Sequence, residues 1–109
     1  MVNNTSLDRT FAALSDPTRR AILGRLADGG ATVGELAEPF DMSLPAVSKH
    51  VRVLEEAGLL AKRHVGRTVH CSLNGEPMKE AAGWLERYSV FWTLTLNRLE
   101  DFLSNEEEA

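Results

Sequence analysis

Apolar residues in the first half of the chain recur at helical intervals, separated by capping and stopping residues. Phe11 and Leu14 stand three apart in a first helix predicted over 7–14. Asp16-Pro17 predicts a second start, with Asp16 as the cap and Pro17 at the first helical position, where its missing N–H costs nothing. Ala21, Ile22, Leu23 and Leu26 give that helix an apolar face, and Gly29-Gly30 ends it. Thr32 caps a short third helix with Val33, Leu36 and Ala37 inward; Pro39 stops it near Glu38. Phe40-Asp41-Met42 forms a tight turn, and Asp41 stands where a positive φ is expected. Ser43 caps a fourth helix, Pro45 takes its second position, Val47, Val51 and Leu54 line one side, and Gly58 ends it.

The pattern then changes. Leu60 to Val65 and Thr68 to Leu73 are rich in β-branched and apolar residues around Gly66-Arg67, which predicts a two-stranded hairpin. Glu76-Pro77 opens a last helix running to about Leu103, roughly 40 Å at 1.5 Å per residue. Asn3 to Thr5 read as a polar start, and Ser104 to Ala109 as a solvated acidic tail. The expected architecture is mostly α with a small β-hairpin, in a single domain over residues 1–109 without repeats or a linker.

The fourth helix carries the chemistry. Opposite Val47, Val51 and Leu54 lie Pro45, Ser48, Lys49 and Arg52. An apolar back with a front of small, hydroxyl and basic groups suits a DNA major groove, where Ser, Lys and Arg reach phosphates and base edges. Pro45, Ala46, Ser48 and Lys49 are the candidates for base-edge contact, and Arg52, one turn later, for a phosphate. His50 lies at the border of the buried side; a half-buried structural ring and a phosphate contact both stay open. In the hairpin, Lys62, Arg63, His64 and Arg67 can follow a DNA backbone or form a solvated basic turn. Arg19 and Arg20 read equally as phosphate contacts or surface ion pairs.

The segment PAVSKH, two apolar steps further on EAGLL, closely resembles the recognition helix of the ArsR-type winged helix-turn-helix regulators. The likeness extends to Ala12–Leu23, to Val33–Phe40 and to Leu60–Leu73. It implies a helix-turn-helix over 33–57, a wing over 60–73 and a dimerisation helix over 76–103, with first and last helices joining two copies. It also implies a repressor that binds double-stranded DNA. Members that release DNA on metal binding use paired cysteines before the recognition helix, or Asp, His and Glu ligands along the final helix. Here Val33–Asp41 has neither Cys nor His, and final-helix carboxylates such as Glu76, Glu80, Glu86 and Glu100 have no His or Cys beside them. No metal or other cofactor is therefore expected. A metal- or thiol-responsive repressor of the same family, and a winged-helix module that binds protein, are the alternatives. The cationic front of the fourth helix weighs against the second.

Charge changes the picture only through its distribution. The net charge of −4 looks wrong for a DNA-binding protein, yet residues 43–73 carry five basic groups against two acidic ones. The last helix is too apolar to stand alone. Trp84, Leu85, Tyr88, Phe91, Trp92, Leu96, Leu99, Phe102 and Leu103 make a broad stripe, which packs either on its own domain or, as the small core favours, on a second copy, with Phe11 of the first helix joining it. The lone Cys71 forms no internal disulfide, and no signal peptide or membrane-length apolar run occurs, so a cytoplasmic location is expected. No nucleophile–base pair, glycine-rich phosphate loop or purposeful carboxylate pair suggests an enzyme.

Overall fold

The computed structural model describes residues from Thr5 to Glu108, with side chains to Glu106; the polar start at Asn3-Asn4 and the end of the tail at Ala109 lie outside them. In chain order the elements are α1 (Thr5–Leu14), α2 (Pro17–Ala27), β1 (Ala31–Thr32), α3 (Val33–Ala37), α4 (Leu44–Glu56), β2 (Leu60–Val65), β3 (Thr68–Leu73), α5 (Glu76–Glu86) and α6 (Ser89–Glu108). The winged helix-turn-helix expected from the sequence is present. No helix among the described residues is long and apolar enough to cross a membrane.

Local chemistry explains most boundaries. The Asp16 carboxylate accepts the Arg19 amide at 3.1 Å to start α2. Thr32 and Glu35 form a reciprocal capping box at α3, each side chain accepting a backbone N–H of the other at 3.1 Å. The Ser43 hydroxyl accepts the Ala46 amide at the start of α4. At the far end, Gly58 takes φ +78°, Leu59 donates its amide to the Leu54 carbonyl and Gly58 to that of Glu55. This is a Schellman stop, which folds Leu59 back into the core.

The core forms where α2, α3, α4 and the sheet converge. Val47, Val51 and Leu54 of α4 are fully buried with Ile22, Leu36, Leu59 and Cys71. Ala21, expected on the buried side of α2, faces solvent; that face consists of Ile22, Leu23 and Leu26.

Three expectations need correction. First, the hairpin has a third strand: β1 pairs antiparallel with β3, Ala31 opposite Cys71, giving the order β1-β3-β2. Two residues are too few to show a strand period. Gly30 eases the approach, since a Cβ there would stand 3.2 Å from the Cys71 carbonyl oxygen, a tight contact. Second, among the described residues no non-glycine has a positive φ, so Asp41 is not left-handed. Residues 38–43 span the gap between α3 and α4, and a connection of that length needs no left-handed residue. Third, the final helix is not continuous. Arg87 and Tyr88 donate their amides to carbonyls three residues back, at Trp84 and Leu85, and α6 starts anew from Tyr88, whose carbonyl accepts the Trp92 amide. The break falls where the chain leaves its support. Ala81 holds α5 to the domain, whereas α6 buries none of its described side chains. Helix α6 also runs on to Glu108, past the expected end near Leu103.

The radius of gyration is 19.1 Å, against ~13 Å for a compact chain of this length. Replacing Leu54 by Ala should lower stability by about 2–5 kcal/mol, because the site is closed on all sides. Urea denaturation would measure it, and a loss below about 1 kcal/mol would contradict this account of the core.

Candidate nucleic-acid interface

Burial of one side of α4 decides what the other presents. Pro45, Ser48, Lys49 and Arg52 are exposed, and Ala46 is half-buried between the sides. Among the described residues, neither the Ser48 hydroxyl nor the Lys49 ammonium has a hydrogen-bond or ion-pair partner. Arg52 meets Glu56 one turn on at 3.7 Å, with both side chains about 70% exposed, so the pair is weak and easily exchanged. Two exposed apolar residues near the start of α4, Met42 and Leu44, had not been singled out in the sequence; Leu44, three residues before Val47, keeps the apolar period of the helix yet lies beyond the core.

His50 sits at the edge of the front, half-buried. Its Nδ1 stands 3.3 Å from Nη1 of Arg19 and 3.9 Å from the Asp16 carboxylate. That carboxyl is held below its ordinary range, chiefly by the hydrogen bond from the Arg19 amide. Arg19 itself is anchored: Nε donates to the Ala13 carbonyl at 2.7 Å and Nη2 to that of Ala12 at 3.1 Å. Arg20 donates to the Leu14 carbonyl at 2.7 Å. Both arginines thus close the C-terminal end of α1, where carbonyls have no partner within the helix. Among the described residues neither forms the surface ion pair that was one of the two readings of the sequence.

The wing divides its cations between two faces. Alternation along β2 puts Leu60, Lys62 and His64 on one side and Ala61, Arg63 and Val65 on the other. The side chain of Lys62, also among the cations expected at the DNA, is half-buried, and its ammonium lies 3.2 Å from Glu55 of α4. It therefore ties the wing to the helix. Arg63 is exposed opposite His70 across the strand pair. At the tip, Gly66 has φ +60° and Arg67 follows without a positive φ, the pattern of a type II′ turn. This turn leaves the Arg67 side chain in solvent, as is His64. His70 and Cys71 fall on opposite faces; Cys71 is buried, and burial pushes its thiol pKa up.

The aromatic residues of the C-terminal segment stay uncovered. Phe11 meets Trp84 edge to face at 5.7 Å, and Trp84 leans on Tyr88 at 5.2 Å, so α1 and the end of α5 form one patch. It continues through Leu85, Phe91, Trp92, Leu96, Leu99 and Phe102, all exposed, with Phe91 71% so.

Known proteins share this arrangement. A helix-turn-helix domain family matches residues 14–63. The transcriptional repressor SdpR of Bacillus subtilis is 35% identical over 72% of this chain and 88% of its own length. The helix-turn-helix-type transcriptional regulator Rv2034 of Mycobacterium tuberculosis is 40% identical over 93% of this chain and 92% of its own. Among solved structures, an ArsR family transcriptional regulator superposes with a TM-score of 0.76 at 45% identity, covering 81% of this chain and 97% of that one. An ArsR-like regulator from Rhodococcus gives 0.68 at 32% identity, over 89% and 92%. Sequence likeness over most of both chains, together with the same fold, means that this chain belongs to the ArsR family of DNA-binding winged helix-turn-helix transcriptional regulators.

Proposed function

We propose that the chain works as a homodimeric repressor that occupies an imperfectly palindromic operator. The observation that carries this reading is the α4 front, where Ser48 and Lys49 stand exposed and unpartnered opposite a fully buried back. Pro45 and Ala46 meet thymine methyls, Ser48 and Lys49 read base edges, and Arg52 holds a phosphate. Arg67 at the wing tip and Arg63 below it follow the backbone. Lys62 braces the wing through Glu55.

Pairing is supported by α6, none of whose described side chains is buried in a single copy. A twofold contact through Phe11 and the Trp84–Phe102 stripe covers it, and places two copies of α4 about 34–36 Å apart, one turn of DNA. Repression then follows from occupancy: a dimer over a promoter excludes other proteins. The protonated, buried Cys71 thiol is a poor nucleophile, which favours a repressor without a thiol switch.

Lys49→Ala should weaken operator binding by roughly 1–3 kcal/mol and relax selectivity at one base position. Arg67→Ala should weaken all sequences alike and flatten the salt dependence by about one unit of slope. Gel shifts across operator variants at several salt concentrations separate the two; equal, sequence-blind losses would end this division of labour. Trp92→Glu should give a monomer that binds DNA weakly, read by sedimentation velocity, and an intact dimer would place the seam elsewhere.

A further inference from the structure

The α1–α2 corner reaches the candidate DNA surface through one side chain. Arg19 has three nitrogen positions in use: Nε on the Ala13 carbonyl, Nη2 on the Ala12 carbonyl and Nη1 on Nδ1 of His50. Two anchors on rigid helix backbone fix the direction of the third arm. A guanidinium only donates, so in the neutral imidazole this contact calls for Nδ1 of His50 to accept and for the ring proton to sit on Nε2. The competing arrangement, in which Asp16 takes a proton from Nδ1, is disfavoured on distance: the carboxylate is 3.9 Å away and already accepts the Arg19 amide.

The direction of Nε2 follows from burial. Among the described residues it has no partner, yet no buried side-chain nitrogen or oxygen lacks one. Nε2 is therefore open to solvent, on the helix that carries Ser48 and Lys49. We propose that Arg19 is a positioning residue for DNA binding, which holds His50 in the tautomer that presents Nε2–H to a backbone phosphate. This rests on the α4 front being the DNA surface. It resolves the two readings of His50 into one: a half-buried ring whose inner nitrogen is structural and whose outer nitrogen binds. It also joins the end of α1, which carries Phe11 of the proposed seam, to a DNA contact through a single guanidinium.

Two substitutions separate the nitrogens. In His50→Asn the amide oxygen can still accept from Arg19, but nothing replaces Nε2–H. In His50→Gln the longer side chain returns an N–H donor near the Nε2 position. His50→Asn should keep the parent melting temperature and lose roughly tenfold in DNA affinity on every sequence alike; His50→Gln should recover most of it. Undiminished binding by His50→Asn, or no recovery in His50→Gln, would overturn the proposal. Nitrogen-15 spectra of the imidazole in the free parent protein at alkaline pH give a second readout that needs no variant to fold. A bare Nδ1 with protonated Nε2 is expected, and a proton on Nδ1 refutes the role of Arg19. If Lys49→Ala and His50→Asn both bind DNA like the parent while Nδ1 is bare, the Arg19 contact stands, but the interface reading falls and the phosphate contact with it.

Discussion

Complete burial of Val47, Val51 and Leu54 is the constraint on which the rest of the molecule depends. These three side chains pin α4 against α2, α3 and the base of the wing. A helix held by one side has no freedom to rotate, so Ser48 and Lys49 must face outward. Rotating it would expose apolar surface worth several kcal/mol. The caps at Ser43 and Gly58 then limit its length, and the Schellman stop returns the chain to the core at Leu59 with the wing next in line.

The cations show how little of a basic composition reaches the surface that matters. Arg19 and Arg20 are taken up by the open carbonyls of α1, and Lys62 by Glu55. Arg52 is only loosely engaged, and Lys49 and Arg67 are free among the described residues. A net charge of −4 therefore says nothing about the local potential beside α4. The engaged cations serve the free ones indirectly. Two close a helix end and one stiffens the wing, so the exposed charges stand on fixed supports.

The C-terminal helices follow a different economy. Helix α5 is tied to the domain by Ala81 and by the Phe11–Trp84 contact. Beyond Tyr88 the aromatic and aliphatic residues among those described are exposed, although they are those of a core. A lone helix of this composition has no packing to offset the entropy of ordering it, and a second copy supplies what one chain lacks.

Much of this was legible in the residues themselves. Caps and stops at Asp16-Pro17, Thr32, Ser43 and Gly58 marked helix ends because each uses a side chain or backbone freedom specific to its residue type. The period of Val47, Val51 and Leu54 showed which side of α4 is buried, and Gly66-Arg67 showed the hairpin tip. What escaped was decided by long-range geometry. Strand β1 is too short for any period, and its approach to β3 is eased by the missing Cβ of Gly30. The break at Arg87–Tyr88 lies inside an unbroken helical pattern, and falls where support from α1 ends. Above all, a sequence shows that an arginine, a lysine or a histidine is present but not what it touches. Only the packing of α1 on α2 and of the wing on α4 set Arg19 against His50 and Lys62 against Glu55, because partners for charged groups are chosen by distances across the fold.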